Sequence, residues 1–415
     1  MKCQLGSQID SNVRPGISAP EVFVVLLIFL IIVALLAPYL QRQRERSRNL
    51  VCQNNLRRIG ESLLQFAAED ANAHLCSGAA DYLRDGCPDR FGWTTDLFRL
   101  KGLSGGSYLC PSHSQSGNAA LLDLVGIDGK ITTVRLPPHL QHRLGGECAL
   151  FEVDVDGDGL VDQGTVAAGS DAQLALANRL IRSGLKTNYT PSWYLVRTGM
   201  KYQPDENKLY RTSRDWDADQ IGATLGPLTI DLIERSPVPA QNIPLMAEGA
   251  PVRKVPESIN LENLPTGTQL VATMLDGPAA WDDESRAIVR LPRGVVTDRL
   301  AEGECHVGPF CGDDLPTPTD SGDGGTDGKL WLQDTRHWAP QHPDFSRGTF
   351  MLNILMADGS VKQMSDENGD GFLNPGFPID STKGPLPAQV ELLPFIVFSG
   401  EILPRVVPVD VFQAQ

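Results

Sequence analysis

The fold is decided by an apolar segment near the start of the chain, RPGISAPEVFVVLLIFLIIVALLAPYL (14–40). No charged residue occurs at 22–37, and a carboxylate, Glu21, stands directly before that run. The segment 17–40 has the roughly 20 residues that a helix needs to cross a bilayer. Secretory signal peptides have shorter apolar cores, and Pro38 would directly follow the nearest candidate cleavage site. The sequence therefore predicts a retained membrane-spanning helix.

The same helix is predicted to continue beyond the membrane. Apolar residues recur at steps of four and three residues, at Cys52, Leu56, Ile59, Leu63 and Phe66. This spacing places them on one face of an α-helix. We expect the continuation, 41–72, to pack on a globular head through that face.

The charge balance limits the possible partners. The 415-residue chain has 51 acidic and 36 basic residues, and its formal net charge is −15. This composition excludes nucleic acid as the expected partner, because phosphate binding needs clustered Lys and Arg. The one basic cluster directly follows the apolar segment, at Arg42, Arg44, Arg46 and Arg48. Its position favours contact with lipid headgroups, so the bilayer is the expected partner.

Beyond residue 72 the sequence changes to short β-type runs separated by Gly, Pro and Asp. Strands are predicted in KITTVRL (130–136), ALFEVDV (149–155), SWYLVRT (192–198), PLTIDLI (227–233), AIVRL (287–291) and TFMLNILM (349–356). One helix is predicted over 171–183, because Ser170 and Gln173 form a capping box before it. The predicted class is α+β, with the long N-terminal helix packed on a mainly antiparallel sheet.

Gly16, Ile17 and Glu21 together resemble the prepilin junction of type IV pilins and type II secretion pseudopilins. In that family a prepilin peptidase removes a short leader ending in Gly, and the new N-terminal residue is methylated. The resemblance implies cleavage after Gly16 and methylation of Ile17. Since a carboxylate within a bilayer needs a partner, Glu21 would pair with the Ile17 amine of a neighbouring subunit. The resemblance also implies a pilin-like fold. Its parts would be the leader 1–16, the membrane helix 17–40, the continuation 41–72, the head 73–311, the acidic loop 312–329 and the C-terminal part of the head 330–415.

Two features differ from the family pattern. Ile17 stands where family members usually carry Phe. The arginines after the apolar segment would place the head in the cytoplasm by the positive-inside rule, whereas the leader motif places it on the opposite side.

A second resemblance is to a bacterial family of pseudopilin-like proteins with an H-X9-DG box. It is carried by CQNNLRRIGESLLQF (52–66), YLCPS (108–112), SWYLVRTG (192–199), NIPLM (242–246) and NILMADGSVKQM (353–364). The DG here is Asp358–Gly359, but Gly348 stands where the His should be, and the nearest upstream His is His342. Asp-Gly between two apolar runs predicts a hairpin turn.

Two acidic loops are candidate sites for Ca²⁺, the one cofactor that the sequence suggests. DVDGDGLVD (154–162) matches the first nine positions of a calcium loop, with ligands at Asp154, Asp156, Asp158, Leu160 and Asp162. DENGDGFLN (366–374) repeats the pattern more weakly, with Asp366, Asn368, Asp370, Phe372 and Asn374. Neither loop has Glu at position 12. A solvated acidic turn is the alternative for the first loop, and a Gly-rich β-turn for the second.

Eight cysteines are present, and none occurs as CxxC. If the head lies outside the cytoplasm, disulfides are expected. Cys305 and Cys311 are the easiest pair to propose because they would close a short loop; two free thiols are the alternative. The sequence alone leaves the other connectivities open.

Motifs for catalysis are weak, so the chain is predicted not to be an enzyme. A G-x-S-x-G motif around Ser104 has no strand before it and no helix after it, as a nucleophile elbow requires. His337 and His342, near Asp334 and Asp344, are interpreted as solvated loop residues rather than a site.

The sequence therefore predicts a single-pass protein of the bacterial inner membrane, with its head in the periplasm or at the cell surface. It would be a structural subunit of a type II secretion or type IV pilus-like assembly. Its partners would be a prepilin peptidase, other pseudopilin subunits and the bilayer. The alternative is a membrane-anchored calcium-binding surface protein that does not polymerise.

Overall fold

The computed structural model describes most of the chain between residues 19 and 406. The described residues are 19–100, 109–114, 116–126, 131–133, 136–151, 158, 165–167, 169–183, 186–204, 210–236, 238–282, 284–294, 296–297, 331–377, 390–393, 395–399 and 405–406. The chain forms two compact units, Met1–Ser47 and Arg48–Gln415.

The longest element is helix α1, Ala19–Glu69, with 51 residues. Its part in the first unit contains the apolar segment, and every side chain at 19–40 is exposed. By length and composition this helix could cross a membrane. Pro38 lies within it.

The part of α1 in the second unit packs on the head through the predicted face. Cys52, Leu56, Ile59 and Leu63 are fully buried, whereas Phe66 is half-buried. Each buried Leu or Ile side chain contributes about 1.5–3 kcal/mol relative to an exposed one. The predicted helical continuation is confirmed, although the helix ends at Glu69 rather than at residue 72.

The other helices are short. They are α2 Tyr82–Asp85, α3 Trp93–Arg99, α4 Ala120–Val125, α5 Asp171–Ser183, α6 Trp193–Arg197 and α7 Ile230–Arg235. Four 3₁₀ helices are described, at Pro138–Leu144, Gly146–Phe151, Ile221–Ala223 and Ala240–Asn242.

Fifteen strands are described. They are β1 Ile131–Thr133, β2 Thr165–Ala167, β3 Tyr189–Pro191, β4 Lys201–Pro204, β5 Tyr210–Thr212, β6 Pro244–Glu248, β7 Pro251–Lys254, β8 Gln269–Val271, β9 Ala279–Asp282, β10 Ala287–Arg290, β11 Val296–Thr297, β12 His342–Asp344, β13 Thr349–Met356, β14 Val361–Asp366 and β15 Arg405–Val406.

The main sheet has five antiparallel strands, and β13 is its centre. Strand β14 pairs with β13 along one edge. Along the other edge β12 pairs with the first residues of β13, and β6 pairs with the last ones. Strand β3 extends the sheet beyond β6. Helix α1 lies against β13 so closely that a Cβ at Gly60 would lie 2.8 Å from Leu355 Cδ1.

Among the described strands, the remaining pairs form smaller sheets. Three are two-stranded, β1–β2, β7–β8 and β9–β10, and one is four-stranded in the order β11–β5–β4–β15. Only β15 with β4 is a parallel pair among these named strands. The α+β class with mainly antiparallel sheets is therefore confirmed.

Several local predictions are confirmed. Strand β13 and helix α5 have the predicted bounds, and β1 and β10 lie within two predicted runs. The capping box of α5 is formed, since Ser170 N donates to Gln173 Oε1 (3.0 Å) and Gln173 N donates to Ser170 Oγ (3.2 Å). The Asp358–Gly359 hairpin joins β13 to β14, with Gly359 at φ +81°.

Three strand predictions are wrong. SWYLVRT contains α6 and PLTIDLI contains most of α7. The described part of ALFEVDV belongs to a 3₁₀ helix. For the first two the physical reason is visible, because Ser192 and Thr229 accept from the backbone N–H groups of Leu195 and Leu232 and so cap a helix start.

Candidate functional site

Several predicted site residues lie outside the described residues: Gly16, Ile17, Asp154, Asp156, Leu160, Asp162, Ser104, Cys305 and Cys311. Of the first acidic loop, only Asp158 is described, and it is exposed. The structure therefore bears on Glu21, on the second acidic loop and on the attachment of α1 to the head.

Glu21 is the third residue of α1 and is exposed. The N-terminal turn of a helix has unpaired N–H groups and partial positive charge, so it stabilises a nearby carboxylate. After Glu21, the large apolar side chains from Val22 to Leu40 are 45–71% exposed. A helix that is apolar on all sides needs lipid or other apolar helices around it. This surface, residues 19–40, is the candidate site for membrane insertion and for lateral packing.

The helix is attached to the head by a disulfide that the sequence did not identify. Cys52 of α1 is bonded to Cys110, with the two Cα atoms 4.7 Å apart. The side chain of Asn188 makes two hydrogen bonds to the Cys110 backbone. It accepts from the Cys110 N–H (2.8 Å) and donates to the Cys110 carbonyl (3.0 Å). Asn55 Nδ2 of α1 also donates to the Leu109 carbonyl (3.0 Å).

A second disulfide joins Cys87 to Cys148. The free cysteine among the described residues is Cys76, which is buried. Burial raises the pKa of the Cys76 thiol far above its ordinary value, so this thiol is held protonated and unreactive.

A buried polar cluster lies between α1 and the main sheet. Glu248, at the end of β6, accepts from Asn353 N (2.6 Å) and Asn353 Nδ2 (2.8 Å), and His342 Nε2 lies 3.1 Å from its Oε1. Asn353 Nδ2 also donates to Asn49 Oδ1 of α1 (3.0 Å). All three head residues are at most 1% exposed. The cluster links α1 to three strands of the sheet.

The prediction that His342 is a solvated loop residue is wrong, because His342 is buried in β12. Its Nδ1 has no hydrogen-bond partner among the described residues. The imidazole proton is therefore assigned to Nε2, where it donates a hydrogen bond to Glu248. The sequence contained one signal for this cluster, a Glu that ends the otherwise apolar run PLMAE (244–248).

Another buried carboxylate, Asp96 of α3, binds the turn before α2. Its oxygens accept from Ser77 N (2.6 Å) and Ser77 Oγ (2.8 Å). Burial raises the pKa of Asp96 to about 7, although the hydrogen bonds from Ser77 act in the opposite direction. Sequence reasoning did not single out this residue.

The second acidic loop follows β14 and is closed by hydrogen bonds from the backbone. Asp366 accepts from the N–H groups of Gly369 (2.7 Å), Asp370 (3.2 Å) and Gly371 (2.9 Å). Glu391, which comes from a later segment, accepts from the N–H groups of Glu367 (2.7 Å) and Asn374 (3.0 Å).

Carboxylate oxygens of Asp366, Asp370 and Glu391 lie within 4.8 Å of one another. An all-oxygen set suits a hard cation such as Ca²⁺, and burial raises the pKa of Asp370. Glu391 was missed because it is distant in sequence. Asn374, in contrast, accepts from the N–H groups of Gly376 and Phe377, and these hydrogen bonds stabilise the turn that follows it. Calcium at this loop stays a prediction, since the hydrogen bonds alone can stabilise the turn.

A cavity of about 290 Å³ opens elsewhere on the head. Its charged side chains are paired, with Arg290 Nη2 2.7 Å from Asp219 Oδ2 and Arg293 Nη2 2.9 Å from Asp217 Oδ2. The two arginines and the two carboxylates of the cavity therefore neutralise one another.

Comparisons with known proteins give no information about the function of this chain. No family model matches the chain, and no curated protein or solved structure matches it at a significant level.

Proposed function

We propose that this chain is a membrane-anchored structural subunit of the pseudopilin type, with a pilin-like fold, which assembles through α1. One observation carries the proposal. A single helix is apolar and exposed on all sides over 19–40, and over 52–63 one of its faces is buried in an antiparallel head. The first part can pack in a bilayer against lipid or against further α1 helices, and the second part transmits their arrangement to the head.

Glu21 supports assembly over simple anchoring. A carboxylate next to an apolar segment is expensive in a membrane unless it is paired. Removal of residues 1–16 by a prepilin peptidase would create an amine at Ile17, four residues before Glu21. In a bundle of α1 helices, Glu21 of one subunit would bind the amine of the next and set the axial register.

The two disulfides support a head outside the cytoplasm. Disulfides persist in oxidising compartments such as the bacterial periplasm. This argument opposes the location that the four arginines after the apolar segment would favour. We therefore place the protein in a bacterial inner membrane, with its head in the periplasm or at the cell surface. Ca²⁺ at 366–374, and at 154–162, would rigidify the head.

The test has two parts, processing and assembly. In cells with active prepilin peptidase, mass spectrometry should find a mature chain that begins at N-methylated Ile17; a chain that keeps Met1 would overturn the pseudopilin interpretation. For assembly, Glu21→Gln is compared with Glu61→Gln, which changes an exposed residue on the same helix. Multimers are detected by chemical cross-linking in membranes. We expect Glu21→Gln to remain in the membrane fraction and to lose the multimers that the unsubstituted chain forms, and we expect Glu61→Gln to keep them.

A second candidate function is a calcium-binding surface protein that does not polymerise. The carboxylates of Asp366, Asp370 and Glu391 favour it, since they form an oxygen-rich group on the head. In that case Glu21→Gln would be silent, and no multimers would be found in the unsubstituted chain.

A further inference from the structure

The buried polar cluster around Glu248 adjoins the disulfide of α1, and four side chains that can bind a metal meet there. His342 Nε2 lies 3.6 Å from Cys110 Sγ and 3.1 Å from Glu248 Oε1. One ligand atom from each of Cys52, Cys110, Glu248 and His342 lies within 4.8 Å of the others. The four residues come from helix α1, the segment 109–114, strand β6 and strand β12, so the tertiary fold brings them together.

The chemistry and the spacing of this group suit zinc. Thiolate sulfur, imidazole nitrogen and carboxylate oxygen are all ligands of Zn²⁺, and structural zinc sites are closed and tetrahedral. All four side chains are at most 1% exposed. Zn–ligand bonds of roughly 2.0–2.3 Å place tetrahedral ligand atoms about 3.3–3.8 Å apart. The distances from His342 Nε2 are close to that spacing, whereas the two bonded sulfurs are closer together than a metal would hold them.

We infer that the reduced chain binds one Zn²⁺ through Cys52, Cys110, His342 and Glu248. A dithiol opens the disulfide by transferring two electrons and two protons to it, and is itself oxidised to a disulfide. Binding of Zn²⁺ then releases one proton from each of the two thiols. The imidazole stays neutral, but its proton lies on Nδ1, so that the Nε2 lone pair binds the metal.

Hydrogen bonds around the cluster hold the ligands in place. Asn353 N and Nδ2 donate to the two oxygens of Glu248. The side chain of Asn188 makes two hydrogen bonds to the backbone of Cys110. Contacts of this kind orient metal ligands and raise metal affinity. None of these four hydrogen bonds involves a sulfur atom, so they do not require the disulfide.

The site would give α1 two alternative attachments to the head. In the oxidised chain Cys52 is bonded to Cys110. In the reduced chain, Zn²⁺ bound by Cys52 and by three ligands of the head would replace that bond, and a metal that binds only the folded state stabilises it. The inference does not depend on membrane anchoring or on assembly, because all four ligands lie in the unit Arg48–Gln415.

The first test uses Co²⁺ as a spectroscopic substitute for Zn²⁺ in the full chain. The chain is reduced in urea with a phosphine, which is oxidised to its oxide with one water, and is then returned to detergent without urea. Cys110→Ser is compared with Cys148→Ser, which removes a cysteine of the other described disulfide. We expect thiolate-to-cobalt charge-transfer absorption in the unsubstituted chain and in Cys148→Ser, and we expect excess Zn²⁺ to remove it. Cys110→Ser should lose one bound equivalent of Co²⁺.

The second test measures Zn²⁺ affinity by competition with a chelating dye, in His342→Gln and in His337→Gln. Changes to residues that only contact metal ligands lower affinity by about 10–100-fold, so loss of the His342 ligand should lower it by more than about 100-fold. His337 is half-buried and lies outside the cluster, so His337→Gln should leave the affinity unchanged. Circular dichroism without metal shows whether each variant folds like the unsubstituted chain.

The oxidised chain provides a comparison without any substitution, because its bonded sulfurs cannot act as two thiolate ligands. It should lack the equivalent of Co²⁺ that the reduced chain binds. Equal charge-transfer absorption in the unsubstituted chain and in Cys110→Ser would overturn the inference. A loss in Cys148→Ser instead would place the metal at Cys87 and Cys148 and would also overturn it. A reduced chain that folds and binds no metal would show that the cluster is only a polar contact.

Discussion

Asn353 of strand β13 donates a hydrogen bond to Asn49 of α1 across 3.0 Å, and the same amide nitrogen donates to the buried Glu248 at 2.8 Å. The helix that carries the apolar segment is thus joined to the centre of the sheet by a shared polar contact. With the Cys52–Cys110 bond, this contact places α1 on the head in one register.

The first prediction concerns the Glu248 cluster. Glu248→Ala should lower the free energy of unfolding by about 3–5 kcal/mol, because it leaves buried donors of Asn353 and His342 unpaired. Asn49→Ala should cost about 1 kcal/mol, since it removes the hydrogen bond from Asn353 at a half-buried position, together with weaker ones to Gln53 and Met351. Urea unfolding in detergent measures both values. Glu61→Ala is the exposed control on α1, and equal effects of Glu248→Ala and Glu61→Ala would contradict the assigned network.

The second prediction concerns the disulfide between α1 and the head. Cys52 and Cys110 are 58 residues apart, and loss of a bond that closes such a loop costs about 2–5 kcal/mol. Cys110→Ser should therefore lower the midpoint of thermal unfolding strongly in the absence of reductant. A dithiol reductant should lower the midpoint of the unsubstituted chain further than that of the variant. An unchanged midpoint in Cys110→Ser would show that the bond does not form.

The third prediction concerns pH. The pKa of Asp96 is raised by burial to about 7 in the folded chain, so the folded state retains a proton that the unfolded state has lost. The contribution of Asp96 to stability is therefore present below pH 4 and declines as the pH rises to 7, by up to about 4 kcal/mol.

Asp96→Asn removes that titration and preserves the shape of the side chain. We expect a flatter dependence of the unfolding free energy on pH between 4 and 7, with the variant at least as stable as the unsubstituted chain at pH 7. Glu257→Gln, at an exposed position, should leave the pH profile unchanged. A variant with the original slope would mean that another group causes it.

The fourth prediction concerns Ca²⁺ at the second acidic loop. If the loop binds the ion, millimolar Ca²⁺ should raise the unfolding temperature, because a ligand stabilises the state that binds it. Asp370→Ala should remove that rise, and Glu391→Gln should reduce it. Glu367→Gln is the control, because Glu367 lies within the loop but outside the predicted ligand set, and its side chain is paired with Arg347. A rise that survives Asp370→Ala would have to come from 154–162 or another site.

Sequence reasoning succeeded where the pattern was long or the local chemistry was specific. The face from Cys52 to Leu63 repeats over several turns, and the capping box at Ser170 fixes one helix start. The apolar run TFMLNILM, followed by Asp358–Gly359, similarly defines a hairpin. In each case the signal lies within a few neighbouring residues.

Sequence reasoning failed where residues that are distant in the sequence determine the structure. SWYLVRT and PLTIDLI are rich in residues that favour strands, yet each forms a helix of only five or six residues. Such short runs contain no period that separates the two states. The partners of Cys52 and of His342 lie 58 and 94 residues away, so neither pairing could be read locally.

The Cys52–Cys110 bond also has a mechanical consequence. A pull along α1 reaches the head through a covalent bond near the start of the part of the helix that packs on the head. The load then passes to the segment at Cys110, which Asn188 holds, and the helical turns after Cys52 carry little of it. Peeling α1 away from the sheet would require breaking this bond as well as separating the packed surfaces. In the oxidised chain, the part of α1 from Arg48 onward therefore stays with the head under load.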